Sequence, residues 1–369
     1  MSLFNLKNYS KRVWKSEFFP LGKGKIYLSN FFVDKDILKY HQIDEAFFNF
    51  PSKFPLQYVF PDTRNLEEKI KKFHEKEGYE KEKFKVFVAD GSTPLLSALI
   101  FFAKSLGFNQ ISSIFPLYFN IHKLCDSLNI SIVPVNDCLT YEGDFKLLLP
   151  KKKSILLLTD PIWCVGRRQS EKTYDLLAKW QNKTKSLIII DSSFDYTCFD
   201  SIKGERKNFQ RLNPTNTIRL ISPTKSLGIL GTRFSYLLVP KKYSDEINIL
   251  TCSSIGPTSE YAEALREKLF DYFLLKIKNK TPLASFSEER YKKIKPLLDA
   301  KGIKYVPPTC CSYLFAELVP YLQKNGKLEK YSYLDFWSVD IPLTEYQNYI
   351  KINLLMKGEN FKELLRDLE

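Results

Sequence analysis

One stretch of the chain puts a lysine where its charge is costly. Ile218-Arg219-Leu220-Ile221-Ser222 reads as a buried strand, and Lys225 comes just after it within Ser222-x-Thr224-Lys225-x-x-Gly228-x-x-Gly231-x-Arg233. Desolvating an ammonium is expensive. A lysine that forms an imine with a carbonyl carries less of that burden, and a desolvated lysine is the better nucleophile. Ser222 and Arg233 flank it with groups suited to a dianionic phosphate, Arg233 through its planar fork. The glycines let backbone pass close to a ligand. The bland alternative is a surface turn that happens to hold a lysine.

Further polar groups stand after other strands. Gly91-Ser92-Thr93 comes after the strand-like Lys85–Asp90 and opens a helix read over Pro94–Ser105. Its N–H groups and hydroxyls suit an anion at the helix N-terminus, although a simple N-cap explains that triplet on its own. Asp160-Pro161-Ile162-Trp163-Cys164-Val165-Gly166 comes after the apolar run Ile155–Thr159, and Asp191-Ser192-Ser193-Phe194 ends the run Leu187–Asp191. In an α/β sheet the ligand lies beyond the carboxyl ends of the strands, which is where these groups fall.

The elements that must position them alternate. Apolar runs of strand length at 130–135, 155–159, 187–191, 218–222 and 234–239 are interleaved with amphipathic stretches such as Glu171–Asn182. That pattern predicts an α/β sheet with crossover helices. Pro134 places the 130–135 strand at an edge or ends it. After about residue 240 the texture changes to long helical patterns at 261–278 and 288–301, the second kinked at Pro296, with short strands at 312–318 and 349–354 and a helix at 360–368. The reading is a large domain at 51–245, a smaller α+β domain at 246–369, and an N-terminal arm at 1–50 that completes the small domain.

Composition narrows the class. With 29 Phe and 21 Tyr the chain has ample material for a core, so disorder is excluded. No run of about 18 apolar residues marks a membrane span, and the first residues lack a leader pattern, so a cytoplasmic protein is expected. Seven scattered cysteines without a Cys-x-x-Cys pair, and three distant histidines, predict free thiols and no metal site. The net charge of +14 arises from lysines spread along the whole chain. Without an arginine-rich arm or aromatic signature, nucleic acid is not the expected partner.

The lysine motif resembles that of the class I/II aminotransferases, fold-type-I pyridoxal-phosphate enzymes that include histidinol-phosphate aminotransferase. Ser222 to Arg233 matches every fixed position of the group's Ser-x-Ser/Thr-Lys-x-x-Gly-x-x-Gly-x-Arg. The resemblance implies that fold, with a mostly parallel sheet covered by helices. It implies a pyridoxal 5′-phosphate cofactor held by Lys225 as a Schiff base, and a role in amino-acid metabolism or biosynthesis. Ser222, Thr224 and Arg233, with Gly91, Ser92 and Thr93, fall where the family binds the phosphate. Asp191 stands where an Asp pairs with the ring nitrogen, and Tyr118 where an aromatic ring stacks on the cofactor. It also implies a homodimer with shared active sites, in which Tyr58 serves the phosphate, since Phe60 stands where the partner's Tyr is usual.

Three positions depart from the family's pattern. Trp163 replaces the Asn, and Phe194 the Tyr, that usually donate to the phenolate oxygen. Lys351, in Tyr349-Ile350-Lys351-Ile352-Asn353, replaces the Arg that grips the substrate α-carboxylate. Lysine pairs with a carboxylate without the bidentate geometry. Three readings are open: an aminotransferase acting on an amino acid or amine; a lyase or cyclase for an unusual amino acid; or a cofactor-binding homologue without turnover.

Overall fold

The computed structural model describes residues 26–28, 34–40, 64–200, 205–255, 260–333, 346 and 348–369. Tyr58, Phe60 and most of the expected arm lie outside the described residues. Among the described residues twelve strands run in chain order: β1 (Ile26–Tyr27), β2 (Phe84–Ala89), β3 (Gln110–Ser113), β4 (Ser131–Pro134), β5 (Ile155–Thr159), β6 (Leu187–Ser192), β7 (Thr217–Ile221), β8 (Ser235–Pro240), β9 (Tyr305–Val306), β10 (Tyr313–Ala316), β11 (Tyr331–Ser332) and β12 (Ile350–Asn353).

Seven strands form the main sheet in the order β2-β8-β7-β6-β5-β3-β4. All pairings are parallel except those of β8, which is antiparallel to both β2 and β7. The continuous apolar runs predicted to be covered on both faces are so: every residue of β5 and β6 is buried. Helices Ser92–Ser105, Phe119–Ser127 and Glu171–Thr184 connect the parallel strands. Pro134 sits in β4, an edge strand, where its missing N–H breaks no ladder.

Register explains why scattered residues converge. Thr159 of β5 lies opposite Asp191 of β6, and Ser192 opposite Ile221 of β7. Because β8 runs the other way, its first residue, Ser235, reaches the same edge and pairs with Ala89 at the end of β2. One edge of the sheet thus collects the loops leaving β2, β5, β6 and β7 together with the start of β8.

A second sheet, β12-β10-β9, is antiparallel, and β1 pairs with β11. Ile26 and Leu28 share a core with Ile294, Leu298, Leu314 and Ile352, so the described N-terminal residues pack into the C-terminal third. The helix predicted over 288–301 begins earlier, at Pro282, because Thr281 accepts a hydrogen bond from the Ala284 N–H and Pro282 occupies the first helical position. Pro296 lies within that one helix. β3 escaped the pattern reading because half of it is Ser112-Ser113, buried hydroxyl residues; Ser113 Oγ satisfies itself on the Leu157 carbonyl at 2.9 Å. Among the described residues no helix is long and apolar enough to cross a membrane.

Candidate active site

At the shared sheet edge lies a cavity of about 560 Å³. Its polar end begins at Gly91, which adopts φ +88° before the helix Ser92–Ser105. The reading of a plain side-chain N-cap is not met: among the described residues no side chain caps this helix, and Ser92 and Thr93 are its first two residues. A Cβ at residue 91 would run into the Arg233 guanidinium, so only glycine lets that arginine lie against the helix start. Arg233 itself has a left-handed backbone, φ +49°. Ser222 and Ser235 face one another there, Oγ to Oγ at 2.5 Å. Thr224 is tied down locally: its Oγ1 donates to the Phe234 carbonyl at 3.2 Å.

Lys225 projects into the cavity from the short helix Pro223–Leu227. Burial holds its amine below the ordinary lysine value; Asp191 opposes that shift and Arg233 adds to it. Nζ lies 4.8 Å from the centre of the Phe194 ring and 6.0 Å from that of Tyr118. Asp191, nearly fully buried, also lines the cavity; its Oδ1 accepts from the Ser193 N–H at 3.0 Å and the Ser193 hydroxyl at 2.5 Å.

Beneath these groups runs a buried ionic network. Asp195 pairs with Arg168 at 2.8 Å and with Arg219 at 2.5 Å, while its carbonyl accepts from Ser226 at 2.6 Å. Arg219 donates to Tyr79 at 2.9 Å, and Arg168 also meets Asp160 at 3.4 Å. Asp195 therefore joins the loop after β6 to the residue beside Lys225. Buried pairs of this kind fix geometry rather than add much stability.

Apolar groups also line the cavity: Trp163, Phe194, Pro161 and Leu230, together with Tyr118. Trp163 is buried, and its backbone N–H donates to Thr159 Oγ1 at 3.0 Å. Tyr118 meets the Trp163 ring edge-on at 6.1 Å and accepts from Asn120 at 3.0 Å. Gly166, φ +77°, holds the Trp163 loop in place: a side chain there would strike the Tyr313 carbonyl, and its own carbonyl accepts from the Thr309 N–H at 2.8 Å.

Of the residues singled out in the sequence, Gly91, Ser92, Thr93, Tyr118, Trp163, Asp191, Phe194, Ser222, Thr224, Lys225 and Arg233 all line this one cavity. Lys351 does not. It is fully buried on β12, with Nζ 5.4 Å from the Trp163 ring centre and 5.0 Å from that of Tyr313. The expected substrate contact at Lys351 is thus not made through the cavity wall. Sequence reading missed Thr159, Ser193, Ser235 and Asn120. Strand ends could have flagged Thr159 and Ser235, since each terminates a run at the ligand edge; Asn120 carries no such signal.

The chain belongs to the aminotransferase class I and II family, whose model matches residues 56–366. It is an aminotransferase-like enzyme, and pyridoxal 5′-phosphate is its cofactor. No curated protein matches the sequence. Among solved structures, a putative aminotransferase with bound pyridoxal phosphate from Clostridium difficile 630 is 18% identical, with TM-score 0.70, covering 98% of this chain and 96% of that one. Cystalysin from Treponema denticola is 14% identical (TM-score 0.71, covering 100% and 96%), and the multiple substrate aminotransferase from Thermococcus profundus 15% identical (TM-score 0.71, covering 100% and 94%). At these identities the likeness shows the fold, a fold-type-I arrangement. The cavity suits the cofactor on its own evidence: a helix start without a side-chain cap, a glycine whose lack of a side chain makes room for the arginine, a desolvated lysine and a buried carboxylate.

Proposed function

We propose that the chain is an aminotransferase in which Lys225 carries the cofactor and moves the substrate proton. The observation that carries this reading is the convergence of Lys225, Asp191 and the Gly91–Arg233 cradle in one cavity. Gly91, Ser92, Thr93, Ser222, Thr224 and Arg233 would hold the phosphate, through N–H groups at a helix start, hydroxyls and a guanidinium. Tyr118 would stack on the ring and Asp191 hold the ring-nitrogen proton. When bound, the cofactor supplies an electron sink that stabilises negative charge at the substrate carbon. Burial lowers the Lys225 pKa and so favours the free electron pair that a nucleophile and general base require. The apolar wall of Trp163 and Phe194 keeps water from that carbon.

The lysine motif also supports a place near the histidinol-phosphate aminotransferases. A homodimer, with Tyr58 of one subunit reaching the other's phosphate, is part of the same proposal. So is the division into a large domain at 51–245 and a small domain at 246–369 joined by the N-terminal arm; the core shared by Ile26, Leu28 and Ile352 supports it.

One observation favours a second reading, a lyase or cyclase. Trp163 and Phe194 stand in the two places where the family has an Asn and a Tyr that donate to the phenolate. A single-turnover measurement separates the two. Without a carbonyl acceptor, an aminotransferase releases one equivalent of carbonyl product per site and no ammonia; repeated turnover with loss of ammonia or of a β-substituent identifies the lyase.

A further inference from the structure

The charges around the cavity bear on which groups the substrate carries. A carboxylate buried without a cation or a set of donors is strongly disfavoured. Among the described residues, the cations lining this cavity are Lys225 and Arg233. Arg233 lies against Gly91 at the helix start, the anion end that the cofactor phosphate takes. Lys225 is the group that carries the cofactor and moves the proton.

The remaining cations nearby are occupied elsewhere. Arg266 pairs with Asp90 at the rim and with Glu263 at 2.9 Å. Arg168 is buried between Asp160 and Asp195. Lys351, on the strand where a carboxylate-binding group was expected, is fully buried and turns its ammonium toward the Trp163 and Tyr313 rings. Trp163 lines the cavity where Lys351 does not, so an indole, rather than the ammonium, faces the substrate. With Pro161, Phe194 and Leu230, it makes that wall a surface for hydrocarbon.

We infer that the nitrogen donor is a primary amine whose amino-bearing carbon carries no carboxylate, with an aromatic or aliphatic body packed against Trp163 and Phe194. This rests on the aminotransferase reading above and narrows it. The exchange is R–CH2–NH2 + R′–CHO giving R–CHO + R′–CH2–NH2: the donor's C–N bond is replaced by a carbonyl, and the acceptor's carbonyl by C–N. The acceptor meets the same wall and is therefore an aldehyde or ketone without an adjacent carboxylate. Trp163 is then a specificity-determining residue, with the Lys351 ammonium beside its ring.

The test uses the cofactor-loaded full chain and matched pairs that differ only in the α-carboxylate: 2-phenylethylamine and phenylalanine, tryptamine and tryptophan, histamine and histidine, isopentylamine and leucine. A visible band that borohydride fixes is scored first; its absence sinks the aminotransferase reading and not merely this inference. Half-saturation is then read from the change in that band, and carbonyl product is assayed separately. The amine of each responding pair should half-saturate at a concentration at least tenfold below that of its amino acid. Trp163→Asn combined with Lys351→Arg should narrow or invert the ratio, while Trp163→Phe, which keeps an aromatic wall, should keep it. The inference is overturned if any pair favours the amino acid, if no amine changes the band, or if the Asn/Arg variant leaves the ratio as it was. As an independent readout, 3-phenylpropanoate, which has the carboxylate without the amine, should fail to compete with 2-phenylethylamine; competition at equal concentration counts against the proposal.

Discussion

The two ends of the cavity obey different rules. At the polar end, Lys225, Asp191, Ser222, Arg233 and Gly91–Thr93 keep the family's residue types and meet within one cavity. Elsewhere in its lining Trp163 and Phe194 depart from the pattern and are apolar in body, and Lys351, a third departure, lies outside the lining beside the Trp163 ring. On the proposed function the polar end answers to the cofactor, whose phosphate and ring nitrogen make fixed demands, and the apolar end answers to the substrate, whose chemistry varies between enzymes. The difference teaches that binding the cofactor and choosing the reaction are separable properties of this scaffold, set by different strand ends.

Substitutions should break that contrast unequally. The largest effect is expected from Lys225→Met, which should abolish the borohydride-sensitive band and lower turnover by roughly a thousandfold or more. The same variant should stabilise the cofactor-free protein. A lysine whose folded pKa is lowered favours the unfolded state at any pH where the free side chain is charged. The gain in melting temperature should therefore be present at neutral pH and fade as the pH rises through the lowered folded value toward the unperturbed 10.5. A gain that is independent of pH would contradict the desolvation of Lys225.

Next comes Asp195→Ala, which leaves Arg168 and Arg219 buried without their shared carboxylate. It should cost about 3–5 kcal/mol of stability, measured by denaturant unfolding. Gly91→Ala should be milder. The strained φ and the displaced Arg233 together cost about 1–3 kcal/mol, read as a roughly tenfold or greater loss of cofactor affinity with little change at the apolar wall. The smallest effect is expected from Phe194→Tyr, which returns a hydroxyl to the apolar end. It should shift the pH midpoint of the visible band by about one unit or less, downward, because a donor stabilises the phenolate. An unchanged midpoint would mean that residue 194 does not face that oxygen.

The same division governs how much was legible in the sequence. Lys225, Asp191 and Gly91 announce themselves because each is awkward where it stands: a cation after a buried strand, a carboxylate ending an isoleucine-rich run, a glycine before a helix. Thr159 closes its own strand and could be read there, whereas Ser235 opens β8, and only the antiparallel run of β8 brings it to the ligand edge. Asp195 was not legible at all, since its partners Arg168 and Arg219 come from other elements and meet it only in the packed core. Lys351 was legible as a residue and not as a placement. Its place where the family has the carboxylate-gripping Arg suggested a substrate contact, whereas the packing of Trp163 and Tyr313 around Nζ is a tertiary fact.

The central claim is that Lys225 bears the cofactor, and peptide mapping tests it most directly. The purified protein would be reduced with borohydride, digested and weighed fragment by fragment. The added mass of the reduced cofactor should fall on the peptide containing Lys225, at close to one per chain. A tag on another lysine, or an unmodified Lys225 in protein that retains the cofactor, would contradict the account.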